Sequence, residues 1–350
     1  MHCHRNYGID CLRLLLMFMV CVLHVLGRGG ILSACIEDTV SYQVFWLLEV
    51  FAYCAVDGFA FISGYTARNK PHDFSKIVNM WFQVWFYSFV VSMLLTFIGL
   101  DGGWSLKTII KRLLPVTFSQ YWYFTAYFAL FFAIPILNAF LFNISKMDSK
   151  RAFVLLFALF SIMGAVSDPF ETKAGYSAIW LIAIYCMGVL AKRSNLFEQK
   201  RTITLVLFFL VFNLATWLFY TVGKIDRILS YTSPTVLLSG IVLVVIFSRL
   251  SLKGHLIRYL SPLAFGIYLF QLNSIMWNEV LHDAFIHIVN QSLVVGIIHV
   301  FAYAFLIFIA GLFIEFIRNL LMPLLGINRL SSKIVNVANR SIEKLFVFLE

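Results

Sequence analysis

Six ionisable residues stand inside apolar runs of the chain: Asp10, Arg13, His24, Glu49, Asp57 and Glu315. A charge in hydrocarbon costs from about 2.5 kcal/mol upward, so such a side chain normally turns toward a partner or a cavity. Arg13 follows Asp10 by three residues and precedes His24 by eleven. At about 100° per residue, eleven steps return to within ~20° of the starting direction, so one helix carries all three on a single stripe. The same eleven steps separate Arg13 from His24 by roughly 16 Å along the axis. An imidazole, with an ordinary pKa of about 6.5, is suited to take a proton as a general base. A guanidinium stays charged at depth and offers a planar fork of donors to a phosphate or a developing oxyanion. A purely structural account fits the same spacing: Asp10 and Arg13 neutralise each other at a helix end, and His24 is a hydrogen-bonded core histidine. Glu49 and Asp57 fall at complementary depths on a second run antiparallel to the first, Glu49 level with His24 and Asp57 nearer Arg13. If the two helices are neighbours, these become pairs, with Glu49 orienting the imidazole. Glu315 precedes Arg318 by three residues, which predicts an ion pair along one helix.

The elements that must hold these residues are membrane spans. Of 350 residues, 61% are hydrophobic and 13% charged, about half the usual charged share. A water-soluble globule is thereby excluded. The apolar runs approach the roughly twenty residues that a helix needs to cross a bilayer. No ~10-residue alternation of apolar and polar positions appears, which excludes a transmembrane β-barrel. The fold class read here is all-α: a polytopic membrane protein with about ten transmembrane helices, over 8–27, 44–65, 75–99, 121–143, 151–167, 176–192, 202–221, 232–250, 262–281 and 291–318. With the N-terminus inside, 19 of the 27 Lys and Arg fall in cytoplasmic segments and 7 outside, Arg13 lying within the first span. The positive-inside rule therefore places both termini in the cytoplasm. Residues 1–320 form the transmembrane domain, and 321–350 a cytoplasmic amphipathic tail. Basic residues between spans, rather than on a solvated face with stacking aromatics, argue against nucleic acid despite the net charge of +10.

Smaller features complete the reading. Asp10 and Arg13 interrupt the first apolar run and no small-x-small site follows it, so a retained first helix is expected rather than a cleaved signal peptide. Cys3, Cys11, Cys21, Cys35, Cys54 and Cys186 show no metal spacing, and only Cys35 falls on the oxidising side, so neither a metal site nor a disulfide framework is expected. Two stretches alternate apolar and basic residues at helical spacing and read as lying on the membrane surface. In 104–118, Trp104, Ile109, Ile110 and Leu113 oppose Lys107, Lys111 and Arg112. In 331–349, Ile334, Val335, Ile342, Leu345 and Phe346 oppose Lys333, Arg340 and Lys344, which face lipid headgroups. Trp122, Tyr123 and Tyr127 open the fourth span beside Tyr121, either as interfacial anchors or as stacking faces beside His24. Tyr268, in the ninth span, is either a core tyrosine or a hydroxyl donor to the same cavity.

Four segments together resemble the acyltransferase-3 family of integral membrane acyltransferases, which includes bacterial surface-polysaccharide O-acetyltransferases. They are RNYGIDCLRLLLMFMVCVLHV (5–25), with Asn-x-x-x-Asp-x-x-Arg and the Arg-x10-His pair; VDGFAFISGY (56–65); QYWYFTAYFALFFAIPILN (120–138); and SPLAFGIYLFQLN (261–273). The resemblance implies transfer of an acetyl group from cytoplasmic acetyl-CoA to a hydroxyl of a saccharide or lipid-linked glycan on the outer side of a bacterial plasma membrane. It implies Arg13 and His24 as the residues transfer requires; Asp10, Glu49 and Asp57, by their positions on the two helices, are the candidates to support them. Acetyl-CoA enters as substrate, and no permanently bound cofactor is expected. The sequence departs from the family twice. An Arg-x-x-Arg after the second span is replaced by Arg68, Asn69, Lys70 and Pro71, where Arg68 and Lys70 with Arg13 would attract the nucleotide end of CoA, or where Arg68 and Lys70 are simply the basic residues of a cytoplasmic loop. Gln271 stands where the family often has His, so its role is hydrogen bonding to substrate or helix. No added outer domain follows, which suggests direct transfer, and membrane lipids and a second copy of the chain are the remaining partners. The rival class is a secondary transporter or glycan flippase, which also places charges inside a bundle of this size but usually shows pseudo-symmetric halves. An accessory subunit whose polar stripe serves packing is a third.

Overall fold

The computed structural model describes residues 5–100, 103, 105–252 and 254–349, with side chains except at 328 and 342–349. Trp104 lies outside the described residues, as do the side chains of Ile342, Lys344, Leu345 and Phe346. All regular structure among the described residues is helical. The first helix, α1 (Tyr7–Leu23), starts where the Asn6 side chain accepts a hydrogen bond from Ile9 N at 3.1 Å, satisfying one of the free amides at a helix start. It continues through a π turn, His24–Arg28, to Ala34. The second run is α2 (Val40–Tyr53) and α3 (Ala55–Tyr65), separated at Cys54. Then follow α4 (Ser75–Trp85), α5 (Leu106–Leu113), α6 (Trp122–Leu141), α7 (Lys146–Phe157), α8 (Ala178–Ser194) and α9 (Thr202–Thr221). The last are α10 (Pro234–Ser248), α11 (Ala264–Gln271), α12 (Leu293–Leu324) and α13 (Ile327–Leu349).

Among the described residues, seven helical runs are long and apolar enough to cross a membrane: Tyr7–Ala34, Val40–Tyr65, Ser75–Phe97, Trp122–Leu141, Lys146–Val166, Thr202–Thr221 and Leu293–Leu324. The other three expected spans fall on shorter elements. Two of them, α8 with 17 residues and α10 with 15, are largely sheathed by other helices, so protein rather than lipid covers them. Leu181, Ile184, Leu190 and Ile241 are fully buried. The third is interrupted after Gln271, where Asn273 donates to Tyr87 O and Ser92 Oγ, both at 2.8 Å, and accepts from Ile275 N. A buried amide with these partners holds the backbone break without an unmet hydrogen bond.

Close approach at glycines sets the centre of the bundle. A Cβ on Gly64 of α3 would stand 2.0 Å from Tyr185 O, and one on Gly188 of α8 would stand 2.6 Å from Phe61 O. The two backbones meet where neither side has a side chain, the small-residue packing that apolar solvent favours. On another face of α3, Gly58 sits against Leu16 of α1. At the end of α12, Glu315 accepts from Arg318 Nη2 at 2.6 Å and Nε at 2.9 Å, as its spacing predicts, and also from Gln83 Nε2 and Tyr87 Oη, both at 2.9 Å. The ion pair thus also ties α12 to the span that begins with α4.

The surface helices are shorter or more deeply seated than the pattern suggests. Only 106–113 of the stretch 104–118 is helical, and Arg112, expected among the outward bases, is buried. A one-turn amphipathic count cannot tell which of three adjacent bases turns inward. The tail is one helix, held to α4 where Ser331 Oγ donates to Asn79 Oδ1 at 2.6 Å, while Ile334 and Val337 stay exposed. The five described cysteines are all free. Gly64→Val overpacks the α3–α8 contact and is expected to cost about 1–3 kcal/mol, read as a lower Tm in detergent. Gly254→Ala, where the added carbon meets only ordinary contacts at 3.6 Å, should leave Tm unchanged.

Candidate active site

Two cavities meet inside the bundle. One, of about 770 Å³, is lined by His24, Arg28 and Glu49, by Trp277 and by a series of tyrosines. The other, of about 820 Å³, is lined by Arg5, Arg68, Lys70, Lys76 and Lys192. Arg13, Ser63 and Tyr127 line both. Arg13 therefore stands at the junction between a basic chamber and an aromatic one.

The junction is braced by Asp10. Its carboxylate accepts from Arg13 Nη1 at 2.7 Å, from Ser261 Oγ at 3.2 Å and from Arg5 Nε. Asp10 is almost wholly buried, whereas the Arg13 side chain keeps 34% of its exposure. The carboxylate thus fixes the guanidinium and leaves part of its donor fork facing the cavities. His24 sits a helix stripe away at the first residue of the π turn, where Gly29 N donates to His24 O at 2.8 Å. Such single wide turns recur at functional sites because they shift a side chain off the regular helical track.

His24 Nδ1 lies 2.9 Å from Gln271 Oε1. With the amide oxygen facing the ring, Nδ1 carries the hydrogen and Nε2 keeps its lone pair, the tautomer a general base requires. The opposite amide end of Gln271 reaches Met17 Sδ at 3.9 Å, a weak acceptor that agrees with this orientation. Trp277 meets the imidazole edge-on at 4.8 Å between centroids. Arg28 in turn lies over the Trp277 ring at 5.1 Å and donates to Trp277 O and Asn278 Oδ1, both at 2.9 Å.

Several expected pairings are not made. Glu49 does not bond His24, because Gln271 occupies the ring nitrogen that a carboxylate would have taken. Asp57 does not meet Arg13. Gly58 is the α3 residue that faces α1, so Asp57, about 100° around the helix, turns to α8, where Trp180 Nε1 donates to it at 3.1 Å. Asp57 is fully buried and lines neither cavity. Gln271 is also fully buried and lies behind His24 rather than on the cavity wall, so it does not contact an acceptor. Trp122, Tyr123, Tyr127 and Tyr268 do line the cavity with His24, Tyr268 Oη accepting from Tyr123 N at 3.2 Å. Arg68 and Lys70 line the basic chamber.

The model of the acyltransferase domain of the acyltransferase-3 family matches residues 6–320. The chain belongs to this family. Comparison with the curated proteins and with the solved structures gave no match. The family assignment makes the protein a multi-pass membrane acyltransferase, and its matched region contains Arg13, His24, Gln271 and the residues named above for both cavities, except Arg5. Sequence reasoning missed Arg5, Arg28, Tyr53, Tyr176, Lys192, Tyr231 and Trp277 as cavity residues. Tyr53 was within reach, one turn beyond Glu49 on the same face; the others come from loops or helix ends whose spacing carries no signal. His72, beside the basic residues, has its pKa lowered by burial and by the nearby Lys76.

The contact of Gln271 with Nδ1 fixes the orientation of the imidazole. Gln271→Leu leaves the buried Nδ1 hydrogen without an acceptor and is expected to lower turnover about ten- to hundredfold at unchanged donor KM. Gln271→Glu keeps an acceptor oxygen and should recover most of the loss. Equal rates for the Leu and Glu variants in a transfer assay with purified protein would exclude the positioning role.

Proposed function

We propose that the protein is an O-acetyltransferase of a bacterial plasma membrane. It moves an acetyl group from cytoplasmic acetyl-CoA to a hydroxyl of an exported or lipid-linked saccharide. The observation that carries this reading is the junction itself: a chamber rich in Lys and Arg and a chamber rich in aromatic rings share Arg13. Phosphates of a nucleotide-bearing donor suit the first, and the apolar face of a pyranose suits the second. The Lys and Arg distribution puts the basic chamber on the cytoplasmic side.

The chemistry follows from the groups at hand. His24 Nε2 takes the proton of the acceptor hydroxyl as its oxygen attacks the thioester carbonyl. Arg13 steadies the donor or the oxyanion, the C–S bond breaks, and the thiolate leaves with a proton returned from the imidazolium. In the alternative route Nε2 attacks the thioester carbonyl and the C–S bond breaks to release the CoA thiolate; the hydroxyl oxygen then attacks the acetyl carbon, the N–C bond breaks, and the hydroxyl proton passes by way of the freed Nε2 to the thiolate. Both routes need Nε2 unprotonated and aimed by Gln271. Acetyl-CoA is a substrate in either route, with no cofactor retained.

Membranes or purified protein supplied with acetyl-labelled CoA are expected to place label in saccharide. His24→Ala should reduce incorporation about 10²- to 10⁴-fold in protein that still folds. Saccharide crossing the membrane with no label incorporated would instead support a glycan flippase. For the basic chamber, Arg68→Ala with Lys70→Ala should raise the KM for acetyl-CoA about tenfold with little change in kcat. The increase should shrink in high salt, where the wild-type attraction is itself screened. An unchanged KM at low salt would remove these residues from the donor site.

A further inference from the structure

Among the carboxylates inside the bundle, Asp10, Asp57 and Glu315 each accept hydrogen bonds. Glu49 is different. It is 7% exposed, lines the cavity that holds His24, and its Oε2 is buried without a hydrogen-bond partner. Its Oε1 lies 3.8 Å from where a Cβ of Gly27 would stand, within the π turn that His24 begins. A buried carboxylate oxygen with no donor carries a desolvation cost of one to several kcal/mol, roughly, unless something enters to donate to it.

Beside it stands a wall of rings. Tyr53 follows Glu49 by one turn on α2 and faces Tyr231 at 4.8 Å and 28°. Tyr231 faces Trp122 at 6.2 Å and 18°, and Tyr176 packs on both, at 5.1 and 4.6 Å. All four rings line the cavity. Their seating is built in: Tyr231 N donates to Ala174 O at 3.2 Å, and a Cβ on Gly175, whose φ is +103°, would stand 2.4 Å from Tyr231 Cβ. The loop before α8 therefore closes onto Tyr231 only because residue 175 has no side chain.

We propose that Glu49 and this aromatic wall form the sugar subsite of the outer cavity. A pyranose lies with its C–H face on the rings, while hydroxyls on its edge donate to Glu49 Oε1 and Oε2. This holds the acceptor so that a further hydroxyl meets His24. The inference rests on the acceptor reading above and deepens it. A carboxylate among aromatic rings also suits a quaternary ammonium. Tyr53, Tyr231 and Trp122, however, follow one another at 28° and 18° as a stack whose outer face suits the C–H face of a pyranose, and only Tyr176, tilted by 52° and 54° to its neighbours, departs from the parallel set, short of the box of crossed rings that surrounds a cation.

The test reads binding at Glu49 without relying on transfer. The full chain in lipid nanodiscs is treated with dicyclohexylcarbodiimide, which modifies carboxyl groups in apolar surroundings, and labelling of the Glu49 peptide is followed by mass spectrometry. The probes are the methyl glycosides of glucose, galactose and N-acetylglucosamine, with choline as the cationic comparison. Glu49 is expected to label, and at least one glycoside to slow labelling about threefold or more, with choline without effect. Trp122→Ala and Tyr231→Ala should abolish the protection, whereas Trp122→Phe and Tyr231→Phe should keep it, which separates loss of the platform from misfolding. Protection by choline alone, no protection by any glycoside, protection that survives removal of the rings, or a Glu49 that never labels would each overturn the proposal. Protection without acetyl transfer to saccharide would leave the subsite standing and reject the acetyltransferase reading. Transfer without protection would do the reverse.

Discussion

A carboxylate surrounded by hydrocarbon must find donors, and the arrangement of this bundle follows from how its four buried acids meet that demand. Asp10 draws Arg5, Arg13 and Ser261 together and so joins α1 to the start of α11. Glu315 draws Gln83, Tyr87 and Arg318 and so joins α12 to the helix beginning with α4. Asp57 takes the indole of Trp180 and joins α3 to α8. Each acid is a link between helices that share no sequence neighbourhood. Glu49 is the exception, and it faces the cavity instead of a neighbouring helix.

The same demand shapes the surroundings of His24. A histidine paired with a carboxylate becomes more basic and is held as an ion pair; one paired with a neutral amide is oriented without added charge. Gln271 supplies the second arrangement, so the ring keeps a defined free nitrogen in a low-dielectric cavity. The helix break after Gln271 belongs to this design, since it ends α11 at the residue that must reach His24, and Asn273 satisfies the backbone there. The π turn at His24 acts from the other side, moving the imidazole and Gly27 off the regular track of α1. The candidate site is assembled from α1, α2, α6 and α11 and the loops between helices, all but Arg5 within the residues 6–320 that the family model matches.

Much of the site was legible in the chain, in unequal parts. The stripe of Asp10, Arg13 and His24 follows from the helical period and holds in the structure, with Asp10 and Arg13 paired and His24 on a cavity wall. The depths of Glu49 and Asp57 were readable as well, but their partners were not. Depth is set by position along one helix, whereas pairing depends on rotation about the axis, and Gly58 against Leu16 turned Asp57 away from Arg13. Gln271 was legible as a hydrogen-bonding residue, yet its partner lies 247 positions away, a distance over which spacing carries no information.

The sequence by itself determined that this is a helical membrane protein, where its apolar runs lie, and which residues are too polar to stand in them without purpose. These properties depend on composition and on local periodicity, which each segment carries alone. Only the tertiary structure decided that two chambers meet at Arg13, that an amide rather than an acid aims His24, and that tyrosines from three separate segments line up with Trp122 beside Glu49. Those outcomes depend on how helices approach and rotate against one another. That geometry comes from glycine contacts such as Gly64 with Tyr185 and from buried acids seeking donors, interactions between residues far apart in the chain.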